Sequence, residues 1–134
     1  MKPLLLLTLA VVLSPACADR SVGSDQIELH RARSGDLDVV LLSDDGTLTH
    51  GKDSFIVEFR RGDTLVDVGT VKGAATMPMA GLPDMLGSVF VDPGDAPGRY
   101  SATTDLSMSG GWNLKLEWDG PAGRGSVTLD TTAE

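Results

Sequence analysis

The strictest pattern in this chain is an alternation of apolar and polar residues between positions 112 and 118. Every second residue is large and apolar, and the apolar set consists of Trp112, Leu114, Leu116 and Trp118. Successive side chains of a β-strand point to opposite faces, whereas a helix would distribute these four residues around its circumference. The segment therefore predicts a strand with one buried face and one face in water.

Shorter patterns of the same kind recur along the chain, and turn sequences rich in Gly, Pro and Asp separate them. They cover residues 37–42, 55–60, 66–68, 89–91, 100–108 and 127–129. In the segment 100–108, alternation assigns one inward face to Tyr100, Ala102, Thr104, Leu106 and Met108. No apolar helical period of any length is present. These patterns predict an all-β fold, an antiparallel β-sandwich of about seven or eight strands.

Charge and residue inventory exclude several functional classes. The formal net charge of −8 argues against a nucleic-acid partner, because a phosphate backbone selects for a basic surface. His30 and His50 are the only histidines, and the only cysteine lies in the N-terminal segment, so a Cys/His nucleophile pair is excluded. No nucleophile-elbow, phosphate-loop or zinc-protease motif is present. We therefore predict that the protein is not an enzyme.

The N-terminal segment has the organisation of a secretory signal. A short basic start is followed by the apolar run Leu4 to Leu13 and then by small residues. The run is much shorter than the roughly 20 residues that span a bilayer. Two processing routes are open: cleavage after a signal peptide of residues 1–18, or a lipoprotein signal that ends before Cys17, which would then carry the lipid.

Either route predicts an exported protein, located in the periplasm or anchored to a membrane as a lipoprotein. Contact with a membrane would occur only through that lipid anchor. The polar residues 19–26 are interpreted as a linker and residues 27–134 as the folded domain. No pair of cysteines remains to form a disulfide.

Methionines are concentrated in one Pro-rich stretch, which contains Met77, Met79 and Met85. Pro78 disfavours a central strand, so the stretch is interpreted as a loop or an irregular edge whose methionines are not needed to fill a core. In an extended segment Met77 and Met79 project to the same side, about 6.5 to 7 Å apart at Cα. Thioether sulfur is a soft ligand that favours Cu(I), so the three residues are candidate metal ligands.

Packing is the alternative role for these methionines, since the flexible side chain of methionine fills gaps and could close the end of a sandwich. Met108 is a weaker candidate ligand because alternation assigns it to the inward face. Trp112 is also assigned to the core, although an indole beside a thioether site could contact a bound cation.

Three segments together resemble the YtkA-like domain family, which is related to FixH-like proteins. They are Met77-Pro78-Met79, Gly98-Arg99-Tyr100 and the stretch Leu106 to Trp112. The resemblance is strongest over residues 77–118 and extends from about residue 37 to residue 130. The chain departs from the family in having a single residue between the first two methionines, and in having Leu82 where another methionine is common.

The resemblance implies a small exported immunoglobulin-like domain that handles copper in the cell envelope. It assigns Met77, Met79 and Met85 to the family's Met-Pro segment, and Met108 and Trp112 to its Met-x-Gly-Trp step. Two functions are therefore expected. One is binding of Cu(I), or a similar soft ion, for delivery or tolerance. The other is a structural or assembly module whose Pro/Met loop binds an envelope protein, such as an efflux or oxidase assembly component.

Overall fold

A computed structural model describes residues 25–134 of the chain. The predicted signal, the candidate lipid-bearing Cys17 and most of the predicted linker lie outside the described residues. Gln26, the last linker residue, accepts a hydrogen bond at 2.7 Å from the Arg99 guanidinium. The start of the described chain is thereby tied to the body of the domain.

Residues 25–134 form nine β-strands and contain no helix. The strands are β1 Ile27–Ser34, β2 Leu37–Ser43, β3 Gly51–Arg61, β4 Thr64–Leu65, β5 Thr70–Met77, β6 Met85–Pro93, β7 Arg99–Leu106, β8 Gly110–Gly120 and β9 Gly123–Ala133. The described part of the chain therefore has no apolar helix long enough to cross a membrane. The predicted all-β class is confirmed.

All the strands belong to one antiparallel sheet, ordered β1-β2-β3-β7-β6-β5-β8-β9, with β4 paired to β3. The sheet curls so that its two edges approach each other. The Ser34 hydroxyl on β1 donates a hydrogen bond at 3.1 Å to the Ser126 carbonyl on β9. The end of β9 is held by Leu48, whose carbonyl accepts a hydrogen bond from the Glu134 amide at 2.8 Å. The two halves of the sheet therefore enclose one core, as in a sandwich.

The inward face of the sheet supplies this core, as alternation predicts for β8. The central aromatic contact is made by Phe59, whose ring meets Tyr100 edge-on at 5.5 Å and Trp118 at 5.0 Å between ring centroids. Tyr100 also satisfies its hydroxyl by donating a hydrogen bond at 2.7 Å to the Gly69 carbonyl. Burial and edge-to-face packing together fix how the two halves of the sheet are placed.

The predicted segments differ from the nine strands in three places. Residues 66–68, predicted as a strand, are irregular, and the central strand β5 that follows them was not predicted. Strands β1 and β4 were not predicted either. The edge strand β1 has only partly buried or exposed residues, so its sequence has no clear alternation. The strand β4 has two residues, too few for any pattern. The inward assignment of Met108 is wrong, because β7 ends at Leu106 and the chain then turns, leaving Met108 exposed.

A buried ion cluster lies on the outward face of β3, which sequence patterns did not reveal. Glu58 is buried there and accepts a hydrogen bond at 2.6 Å from the Arg60 guanidinium. A second guanidinium, that of Arg99 on the neighbouring strand, lies 3.4 Å from the other carboxylate oxygen. A buried carboxylate is costly unless it is paired, so these two arginines make the burial of Glu58 tolerable.

We expect Phe59→Ala to lower the free energy of unfolding by about 3 to 5 kcal/mol, because it removes a buried ring and leaves a cavity. Phe90 provides the matched control, since its side chain is 67% exposed on the outward face of β6. Phe90→Ala should change the free energy of unfolding by no more than about 0.5 kcal/mol. Urea denaturation at low protein concentration measures both. Equal losses in the two variants would contradict this core assignment.

Candidate functional site

Two strand connections meet at one end of the sheet and bring the candidate methionines together. The first joins β5 to β6 through residues 78–84, and the second joins β7 to β8 through residues 107–109. They are neighbours because β6 pairs with β7 while β5 pairs with β8. All four candidate methionines lie in or beside these two connections.

Met77 and Met85 form the pair that closes the first hairpin. Met77 is the last residue of β5 and Met85 the first of β6, and the two are directly opposite in the register. Directly opposite residues of an antiparallel pair project to the same face, with Cβ atoms about 4.5 to 5.5 Å apart. The register therefore brings Met77 together with Met85 across the hairpin, whereas the sequence predicted the pair Met77 and Met79.

Met77 is a core residue, contrary to the interpretation that these methionines are not needed for packing. Its side chain is 8% exposed and belongs to the hydrophobic cluster. Its methyl group lies against Gly110, where an added Cβ would be 2.9 Å from Met77 Cε. The backbone φ of Gly110 is +131°, so this position favours glycine for both space and conformation. Met77 was misjudged because strand β5 continues up to Pro78.

Met79 lies in the connection itself, as predicted, and packs against the edge of the core. Its side chain is half-buried, and its carbonyl accepts a hydrogen bond at 3.2 Å from the Leu82 amide. That hydrogen bond closes a turn over Ala80 and Gly81, which fixes the connection. Met79 and Met85 are therefore the two half-buried thioethers at this end of the core.

Ser107 is a neighbour of this cluster that sequence analysis missed. Its hydroxyl lies 2.8 Å from the sulfur of Met85 and donates a hydrogen bond to it. The two residues are 22 positions apart and lie at different strand connections, so no local pattern links them. The contact fixes the position of the Met85 sulfur relative to the connection between β7 and β8.

Met108 lies in the connection between β7 and β8, and Trp112 follows it in β8. Trp112 is buried, as predicted, and its indole Nε1 donates a hydrogen bond at 3.0 Å to the Met108 carbonyl. This bond anchors the turn to the core. The side chain of Met108 points to solvent and is 41% exposed. A shallow depression of about 560 Å³ lies beside the turn, with Met77 and Trp112 among its lining residues.

Other metal ligands are not grouped in the described part of the chain. Residues 25–134 contain no cluster of three His, Cys, Asp or Glu side chains that could hold a metal ion. His50 is exposed, and its Nδ1 lies 2.7 Å from the carbonyl of the C-terminal Glu134. The candidate metal ligands at this end of the sheet are therefore the thioethers of Met77, Met79 and Met85, here called the methionine cluster. Thioethers suit a soft cation.

Comparison with known protein families identifies a match to a family model described as YtkA-like, over residues 31–117. The match covers more than half of the chain, from β1 into β8, and includes all four candidate methionines. The YtkA-like family is not a known enzyme family. No curated protein and no solved structure matches the chain.

Burial predicts different structural roles for two of the methionines. Met77→Ala should lower the free energy of unfolding by about 2 to 5 kcal/mol, because it empties a core position. Met108→Ala should change it by no more than about 0.5 kcal/mol, because the side chain is exposed. Thermal and urea unfolding of the two variants compare them directly. If Met77→Ala were as stable as Met108→Ala, Met77 would not be a core residue.

Proposed function

This chain belongs to the YtkA-like family, and we propose that it is an exported, non-catalytic β-sandwich that binds Cu(I) or a similarly soft ion through methionines. The ligands are Met79 and Met85, with Met77 completing the donor set from the core side. The main support for this proposal is that the β5–β6 hairpin pairs Met77 with Met85 and that Met79 packs against the same core.

The chemistry of this cluster suits a soft monovalent ion. Thioether sulfur is neutral and polarisable, and it binds Cu(I) in preference to hard cations. Met79 and Met85 are half-buried, so an ion can reach them without unfolding the sheet. The Ser107 hydroxyl engages one lone pair of the Met85 sulfur, and a thioether sulfur has a second lone pair for a metal.

The role is delivery of the ion or tolerance to it, outside the cytoplasm. Support for export comes from the sequence of the N-terminal segment, in which an apolar run precedes small residues. Lipid on Cys17 would hold the domain at a membrane surface, whereas cleavage before Asp19 would release it into the periplasm.

A second candidate function is an assembly module whose Pro/Met connection binds an envelope protein. The observation that favours it is Leu82, whose side chain is 63% exposed in the connection next to Pro83. An exposed leucine beside adaptable methionines suits an apolar contact with a partner. The two functions differ in their need for sulfur, because an apolar contact tolerates the replacement of methionine by leucine.

Anaerobic titration with Cu(I) against a competing chelator tests the metal site. We expect one-to-one binding by the wild-type protein and a loss of affinity of at least about tenfold in Met79→Leu/Met85→Leu, because leucine keeps the volume but removes the sulfur. Met108→Leu is the matched control, since it removes an exposed sulfur from the neighbouring turn, and it should bind Cu(I) like the wild type.

Two results would contradict the proposed site. One is wild-type affinity in Met79→Leu/Met85→Leu, and the other is an equal loss in Met108→Leu. If the wild-type protein itself bound no Cu(I), the assembly module would become the better explanation of the hairpin.

The pH dependence of binding gives an independent test of the ligand type. Thioethers do not take up protons in this range, so the affinity for Cu(I) should change by less than about threefold between pH 7 and pH 5. A site built on neutral imidazole would lose affinity as the histidines become protonated below a pH of about 6.5. The same chelator competition, repeated at both pH values, distinguishes the two. A steep loss of affinity at pH 5 would contradict a site built on thioethers.

A further inference from the structure

The connection between β7 and β8 is fixed at two points although it lies at the surface. It consists of residues 107–109 and follows Leu106, the fully buried last residue of β7. The indole Nε1 of the buried Trp112 donates a hydrogen bond at 3.0 Å to the carbonyl of Met108. Ser107 lies between these two points, so its backbone has little freedom to move.

Ser107 uses this position to hold a sulfur atom of the neighbouring strand β6. Its side chain is exposed, yet its hydroxyl donates a hydrogen bond at 2.8 Å to the Sδ atom of Met85. Thioether sulfur is a weak acceptor, and water could replace it as the partner of an exposed hydroxyl. The contact therefore depends on the fold, which places the serine hydroxyl beside the sulfur.

This hydrogen bond acts on the part of Met85 that the sheet does not hold. Met85 is the first residue of β6, and its backbone is set by the pairing with Met77. Its side chain is only half-buried, and methionine is flexible because it is unbranched. The side chain of Met77, in contrast, is 8% exposed and is held by the core. A ligand that is ordered before the ion arrives loses less conformational entropy on binding, which raises the affinity.

We propose that Ser107 is a positioning residue for the soft-ion site, whose hydroxyl orders the Met85 sulfur before the ion binds. The inference rests on the proposed function and deepens it, because it names a residue outside the methionine cluster that sets the affinity of the site. The hydroxyl engages one lone pair of the sulfur and leaves the second for the ion. Ser107 does not bind the ion itself, because a hydroxyl oxygen is a hard ligand that a soft cation disfavours.

An opposing effect of the same hydrogen bond is smaller. A donated hydrogen bond draws electron density from the sulfur and so weakens it as a ligand. Because thioether sulfur is a weak acceptor, it gives up little density to the hydroxyl. Methionine, however, is among the side chains that lose the most rotamer freedom when they are ordered. We therefore expect the ordering effect to dominate, so that removal of the hydroxyl weakens the binding of the ion.

Competition with a chelator for Cu(I) measures the effect of the hydroxyl on affinity. Ser107→Ala should lower the affinity by about three- to tenfold, because the Met85 side chain must then be ordered by the ion. Ser107→Thr keeps the hydroxyl and should bind Cu(I) to within about twofold of the wild type. Ser109→Ala is the matched control, since it removes an exposed serine hydroxyl from the other end of the same connection, and it should bind like the wild type.

A double-mutant cycle tests whether Ser107 acts through the sulfur of Met85. In a Met85→Leu protein the serine hydroxyl has no sulfur to hold, so the further change Ser107→Ala should alter the affinity for Cu(I) by less than about 1.5-fold. A full three- to tenfold loss in that background would overturn the proposal, because the hydroxyl would then act by another route.

Nuclear magnetic resonance of methionine methyl groups tests the ordering without any metal. In the metal-free protein, Ser107→Ala should lower the order parameter of the Met85 methyl group and leave that of the buried Met77 unchanged. Ser107→Thr should keep the order parameter of Met85 at the wild-type value. A purely structural role in the stability of the connection would not move the Met85 methyl group alone.

The two measurements separate a failure of this inference from a failure of the proposed function. If the wild-type protein bound Cu(I) and Ser107→Ala bound it equally well or more tightly, only the positioning role of Ser107 would be overturned. An unchanged order parameter of Met85 in Ser107→Ala would overturn that role as well. A wild-type protein that bound no Cu(I) would overturn the proposed metal site, and the role of Ser107 with it.

Discussion

The fold depends on one constraint: a single antiparallel sheet with one apolar face must cover that face with itself. No helix in residues 25–134 is present to cover it, so the sheet curls until β1 and β9 approach each other. Residues from both halves then meet in one core, where Phe59 touches Tyr100 and Trp118. The strict alternation of apolar and polar residues in β8 results from this constraint, because each residue of β8 that points inward must be apolar.

A curled sheet closes its sides but leaves its ends open, and this explains where the methionines lie. Backbone hydrogen bonds join neighbouring strands, whereas only side chains and connections can cover the core at the ends of the strands. Met77, Met79 and Met85 cover one such end, where a flexible side chain fills an irregular gap. Packing and the proposed metal binding therefore use the same position, because a thioether that covers the end of the core is also the group that an approaching ion would meet first.

Alternation predicted most of the strands whose two faces differ in environment. It missed β5, because the small residues Gly73 and Ala75 stand at inward positions and weaken the apolar pattern. The all-β class and the inward residues of β8 followed from it directly, whereas the edge strand β1 has no fully buried face and was missed. Met108 was placed inward because alternation does not indicate where a strand ends. The contact between Ser107 and Met85 depends on the pairing of β6 with β7, and strand order cannot be read from local sequence.

The two faces of strand β6 differ in how much they contribute to the fold. On its inward face, Gly87 has no room for a side chain. An added Cβ would lie 2.7 Å from Leu106 Cδ2 and 3.1 Å from Trp112 Cζ3. Its outward face carries Leu86 and Phe90 in solvent. A strand selected only to close the core would have small polar residues outside, as β7 does with Ser101 and Thr103. The outward apolar residues of β6 therefore contribute little to the stability of the fold.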